Sequence, residues 1–168
     1  MRQFIVPVSI LASFVCLGIL ACAQETPVTQ DMIPKAVREA LLAKFPDAKI
    51  EKCTRAKEGG AVVYDIEFKE GDRKCEADIR EDGTYINYEK AIEAGDLPAA
   101  VRQAIEQRYP KSTLKEVMEE TEVKGAEERL SAYEVVLTTA EHKEVEVRVA
   151  PQGKILEQTG AERTKDQK

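Results

Sequence analysis

The chain has 168 residues, with 31 acidic against 25 basic side chains, one histidine, no tryptophan and a net charge of −6. That length allows one ordinary domain or two very small ones. The acidic balance excludes a nucleic-acid partner, which would require a basic face.

Residues 1–22 read as a secretory signal. Arg2 supplies the positive start, and 5–20 is an apolar run interrupted by Ser9 and Ser13. It is short for a membrane span. Two processing routes fit. Ile19-Leu20-Ala21-Cys22 resembles a bacterial lipobox, which makes Cys22 a candidate lipidation site, and Ala21-Cys22-Ala23 also suits ordinary cleavage. Removal of 1–22 takes away Arg2 and no acid, so the product stays acidic. Residues 23–31 are polar and read as a linker.

The remainder says one thing twice. Ile33-Pro34-Lys35-Ala36-Val37-Arg38-Glu39-Ala40-Leu41 opens a segment closed by Phe45-Pro46. Leu97-Pro98-Ala99-Ala100-Val101-Arg102-Gln103-Ala104-Ile105 opens another, 64 residues later, closed by Tyr109-Pro110. Six of the 14 aligned positions are identical. A repeat this long predicts a duplicated unit, 32–93 and 94–160.

Each unit begins with a helix. Proline suits a helix start and, twelve residues on, stops it. Ile33, Val37, Ala40, Leu41 and Phe45 fall on one face at helical spacing, and the second copy repeats the pattern. Four strands follow, near 48–57, 62–68, 74–80 and 84–88, with counterparts near 114–117, 133–137, 144–149 and 155–156. Alternation splits them into two faces. Tyr64, Ile66, Phe68, Cys75, Ala77 and Ile79 form the apolar side, with Tyr133, Val135, Leu137, Val145, Val147 and Val149 in the second copy. The other side carries Asp65, Glu67, Glu76, Asp78, Glu134, Glu144 and Glu146, among lysines and arginines. The expected fold is therefore α+β: two tandem units, each one helix packed on a roughly four-stranded antiparallel sheet, open on its acidic face. Whether the units share a sheet or flex about Ala94-Gly95 stays open. The tail, 161–168, is charged and expected to be disordered.

Outside the cytoplasm Cys53 and Cys75 invite a disulfide. A meander argues against it, since a third strand would lie between them. The second unit carries five extra residues between Val117 and Tyr133. They fall in 119–129, which reads as an acidic hairpin loop containing Glu119, Glu120, Glu122, Glu127 and Glu128.

Catalytic constellations are poor. His142 falls in a turn, and neither Ser112 nor Ser131 has a nucleophile-elbow context. Cys53, Cys75 and His142 match no zinc spacing. No cofactor, metal or catalytic residue is expected.

Leu-Pro-x-x-Val-x-x-Ala with a Tyr-Pro stop, the alternating strands and the ending Gly153-Lys154-Ile155-Leu156 resemble the PepSY-like, β-lactamase-inhibitor-like family. The resemblance covers both units. It implies a helix on an antiparallel sheet, used twice, in a secreted or envelope protein with a binding or inhibitory role and no catalysis. No functional residues carry over, because the motif positions are core and turn.

The reading is a non-enzymatic exported module, in the periplasm, on the outer membrane as a lipoprotein, or secreted. Its partner is expected to be another envelope or secreted protein of basic character, and the membrane is touched only through a lipid anchor. Glu67, Glu76, Asp78, Glu119, Glu120, Glu122, Glu134, Glu144 and Glu146 are the candidate partner-binding residues. The alternative is a small-ligand or cation-binding envelope protein using the same face.

Overall fold

The computed structural model describes residues 25–160. The signal, its cleavage routes, Cys22 and the tail 161–168 lie outside the described residues.

The chain runs β1 (Thr26–Pro27), α1 (Lys35–Lys44), β2 (Lys49–Glu58), β3 (Ala61–Glu70), β4 (Arg73–Arg80) and β5 (Tyr85–Ala91). Then come α2 (Ala99–Arg108), β6 (Thr113–Lys124), β7 (Glu127–Thr138), β8 (Glu144–Val149) and β9 (Ile155–Thr159). Pro34 and Pro98 stand immediately before the helices, and their carbonyls accept from Arg38 N–H at 3.1 Å and Arg102 N–H at 3.0 Å. Phe45 and Tyr109 end them, each N–H reaching back one turn at 2.8 Å.

The two tandem units of one helix on a four-stranded sheet, expected from the repeat, do not form. All strands join one nine-stranded antiparallel sheet in the order β1 to β9. The joint is β5, which pairs with β4 on one side and with β6 on the other, from Asn87↔Glu122 to Ala91↔Met118. The physical reason is the strand edge: two small sheets would each leave a row of unpaired backbone groups, and pairing β5 with β6 removes both rows. A shared strand is built into the repeat itself. Val28 N–H donates to Cys53 O at 2.9 Å, and 64 residues on Ile92 N–H donates to Val117 O at 3.0 Å. β1 thus sits on β2 as the end of β5 sits on β6. Each copy begins with a strand ahead of its helix, within the stretch that reads as a linker for the first copy. β5 closes the first copy and opens the second.

Both helices cover the same face, because the register carries Lys90, on the side of Tyr88, through Glu119 of β6 to Tyr133 on β7. Two cores lie beneath them. Val37 and Leu41 of α1 pack with Ile66, Phe68, Cys75 and Ile79; Val101 and Ile105 of α2 pack with Val135, Leu137, Val145 and Val147. Each is almost wholly buried, and each contributes roughly 1.5–3 kcal/mol by leaving water. The turn before the last strand of each copy is seated on the helix. Gly83 (φ +90°) and Gly153 (φ +88°) come so close that a β-carbon would stand 3.0 Å from Ala36 O and 2.6 Å from Ala100 O. That contact accounts for a small residue at both Ala36 and Ala100 and a left-handed glycine opposite each.

The five extra residues do not make a loop. Between Val117 and Tyr133, two of them lengthen β6 and three lengthen β7 relative to β2 and β3, and one of those three, Ser131, bulges where Glu120 and Thr121 pair with Ala132 and Leu130. The turn is Gly125-Ala126, and the lengthened hairpin reaches the first helix, where Glu128 binds Lys44 Nζ and accepts from Tyr88 Oη at 2.9 Å.

Candidate functional site

The face away from the helices holds the acids. Register lines them up across four strands: Glu67 on β3, Glu76 on β4, Glu89 on β5 and Glu120 on β6 stand directly opposite one another in sequence. The adjacent row is Thr54, Asp65, Asp78, Asn87 and Glu122. Like charges directly opposite are destabilising in a sheet. Glu89, Glu120 and Glu134 are nonetheless buried on this face, which neither α1 nor α2 covers. Register shifts within the β2–β3, β4–β5, β6–β7 and β8–β9 pairs bend the sheet, and bending lets neighbouring side chains screen one another from water.

Cations are placed at the margins. Lys52 meets Glu67 at 2.6 Å, and Lys74 lies between Glu76 and Glu116 at 2.9 Å each. Arg148 clamps Glu120 with two nitrogens, Nη2 at 2.6 Å from Oε1, and Ser131 Oγ donates to the same oxygen at 2.9 Å. The centre has no such relief. Glu89 is 7% exposed, and its Oε2 has no hydrogen-bond partner. Beside it is a recess of about 10 Å³ lined by Asp65, Glu76, Asp78, Asn87 and Glu89.

The carboxyls respond by holding protons more tightly. Burial, then the charges of Asp78 and its neighbours, pushes Asp65 up to about 8. Burial, then Glu58, pushes Asp78 up to about 7, against a hydrogen bond from the Asn87 side chain. Burial, then Glu134, raises Glu89 well above the ordinary range. Glu76 is raised by burial, and Lys74 opposes it.

Of the residues singled out in the sequence, Glu67, Glu76, Asp78, Glu120, Glu122 and Glu134 gather on this face. Glu144 and Glu146 share it but lie outward on β8. Glu119 is on the helix side, opposite Tyr133, to which it is hydrogen-bonded. Glu89 lies one residue beyond 84–88, the last strand expected in the first copy, and within β5 as it forms. The alternation Asn87-Tyr88-Glu89, with Tyr88 on the core side, was the available signal.

Cys53 and Cys75 are both free and buried, on β2 and β4 with β3 between them, and their pairing partners are Ile66 and Phe68. The candidate disulfide is absent for that reason. His142 is exposed in the turn between β7 and β8, at φ +61°.

The family described as "Putative beta-lactamase-inhibitor-like, PepSY-like" matches residues 20–71 and 62–157. The two matches overlap ahead of β5, the strand the copies share. A BLIP-like protein from Bacteroides fragilis is 19% identical, with 80% of this chain and 92% of that one covered at a TM-score of 0.53. A protein of Bacteroides eggerthii described as a "putative periplasmic" protein is 15% identical, with 76% and 88% covered at 0.59. At these identities the likeness is one of fold. No curated protein matches the chain. The chain belongs to the PepSY-like family.

Proposed function

We propose that this PepSY-like chain is a non-catalytic exported binding module whose acidic sheet face receives a basic segment of another envelope or secreted protein. The observation that carries the reading is the row Glu67, Glu76, Glu89 and Glu120, four carboxylates set opposite one another across four adjacent strands. A purely structural face would gain stability from alternating signs. A face kept acidic at a stability cost suits a cationic partner, which it steers and then neutralises. The inhibitor-like family description and a structural relative labelled periplasmic support an exported, binding role, as does the signal-like start of the chain.

The test uses residues 24–168 and a short lysine-rich peptide, followed by fluorescence anisotropy at low and high salt. Binding is expected to weaken by about tenfold or more as salt rises from about 20 to about 200 mM. The double variant E67Q/E76Q is expected to lose most of the affinity, whereas E39Q/E106Q, on the helices, keeps it. Salt-independent binding, or equal loss from both double variants, overturns the reading.

A further inference from the structure

We infer that the recess beside Glu89 is a site for one divalent cation, calcium by its donor chemistry, bound by the carboxylates of Asp78 and Glu89 with Asp65, Glu76 and the Asn87 amide oxygen completing the shell. This goes beyond the basic-partner reading and does not depend on it.

Clustered acids alone make no site. The second observation is Glu89 itself. It is buried to more than nine-tenths, its Oε2 lacks any partner, and it lines the recess. A buried carboxylate oxygen left unpaired costs about 1–3 kcal/mol or more, so a protein without a use for it would be expected to lose it. The neighbouring cations are committed elsewhere: Lys52 to Glu67, Lys74 to Glu76 and Glu116, Arg148 to Glu120.

Size and donors select the occupant. About 10 Å³ holds one water or one bare ion and excludes an organic ligand. Every lining polar side chain offers oxygen, which selects a hard cation. Cys53 and Cys75 face the helices, and His142 is in a distant turn, so soft-metal donors are missing from the recess. Magnesium retains several waters and demands a strict octahedron, whereas calcium accepts irregular carboxylate cages. Among the described residues no three acid side chains already converge on a point at coordinating distance. The backbone register holds Asp65 opposite Asp78 and Glu76 opposite Glu89, so binding requires these side chains to turn inward around the ion.

The groups facing Glu89 are Glu76 and Asp78 from β4, Glu120 from β6, Glu134 from β7 and Arg148 from β8. A cation needs ionised carboxylates, so binding is measured at pH 8.

Isothermal titration of residues 24–168 with calcium chloride, after EDTA and dialysis, tests this. The expected result is one calcium per chain at pH 8. E89Q and D78N are each expected to weaken binding by about tenfold or more while melting no lower than the parent, which separates lost binding from lost folding. E144Q, at the rim, is expected to bind as the parent does. Absence of both heat and a rise in Tm with about 5 mM calcium at pH 8 overturns the proposal, as does binding unchanged in E89Q and D78N or equally weakened in E144Q. The lysine-rich peptide titrated in EDTA reports separately on the basic-partner reading.

Discussion

Glu89 and Glu120 stand directly opposite each other at the seam between the two copies, and only one of them is satisfied. Glu120 is held by Arg148 and Ser131, while Glu89 Oε2 has no partner. Two buried acids of one charge, one of them solvated by the protein and the other not, make the seam a place where stability is lost.

Replacing Glu89 with Gln should stabilise the protein. The amide keeps the shape and removes a buried charge. At pH 8, without divalent cations, the expected gain is about 1–2 kcal/mol, or several degrees in Tm. It should shrink as the pH falls, because burial, then Glu134, makes the native carboxyl hold its proton more tightly. A drop in Tm at pH 8 would contradict the description of Glu89 as unsatisfied.

Replacing Arg148 should do the reverse. Arg148→Met leaves Glu120 buried and charged, at a cost of about 3–5 kcal/mol. The double variant R148M/E120Q should recover much of it. Chemical denaturation of both singles and the double gives the coupling energy, and simple additivity would show that the clamp is not what solvates Glu120.

Stability should fall as pH rises through neutrality. Asp78 and Asp65 have folded pKa values raised from 3.8 to about 7 and about 8. Between the ordinary and the raised value the folded state binds more protons than the unfolded, so unfolding becomes easier with increasing pH. In EDTA the Tm is expected to be about 5 °C lower at pH 8 than at pH 5.5. D65N/D78N should flatten the slope. A Tm that rises across this range in the parent chain would rule the account out.

The seat of the second hairpin on its helix should be less tolerant than that of the first. Gly153→Ala places a methyl 2.6 Å from Ala100 O, against 3.0 Å from Ala36 O for Gly83→Ala. The expected losses are about 2–3 kcal/mol at Gly153 and about 1–2 at Gly83. Gly60→Ala, with the same left-handed backbone in open space, supplies the conformational cost alone, about 1 kcal/mol. Equal Tm shifts for all three would mean the close approach is immaterial.

Neither cysteine should react while the chain is folded. Burial, then Asp65, pushes the Cys53 thiol up to about 12, and burial raises Cys75 as well. A thiol reagent at pH 8 is expected to label no more than a trace of Cys53 or Cys75 natively and both in denaturant. A mass two units low before reduction would indicate the disulfide that the strand order disfavours.

Much of the local structure was legible. Pro34 and Phe45-Pro46, repeated at Pro98 and Tyr109-Pro110, marked both helices, since proline and helical spacing act over a few residues. Alternation assigned Ile66, Phe68, Val135 and Leu137 to the covered face and Glu67, Glu76 and Glu134 to the other. The 119–129 stretch misled because charge and glycine look alike in a loop and in a long exposed hairpin. Glu119 shows the consequence: within strand β6 its side is set by pairing, and it lies toward the helices.

The amino-acid sequence by itself determined the two helices, their shared motif and the sides taken by residues of β3, β4, β7 and β8, because these depend on spacing along the chain. Which strands are neighbours was decided only by the tertiary structure. Pairing joins residues far apart in sequence, and it made β5 the last strand of one copy and the first of the next. That decision set four glutamates in line across β3 to β6 and left the Oε2 of Glu89 buried at the centre without a hydrogen-bond partner. A carboxylate's charge depends on what stands opposite it and how much water remains, and neither is fixed until the sheet has closed.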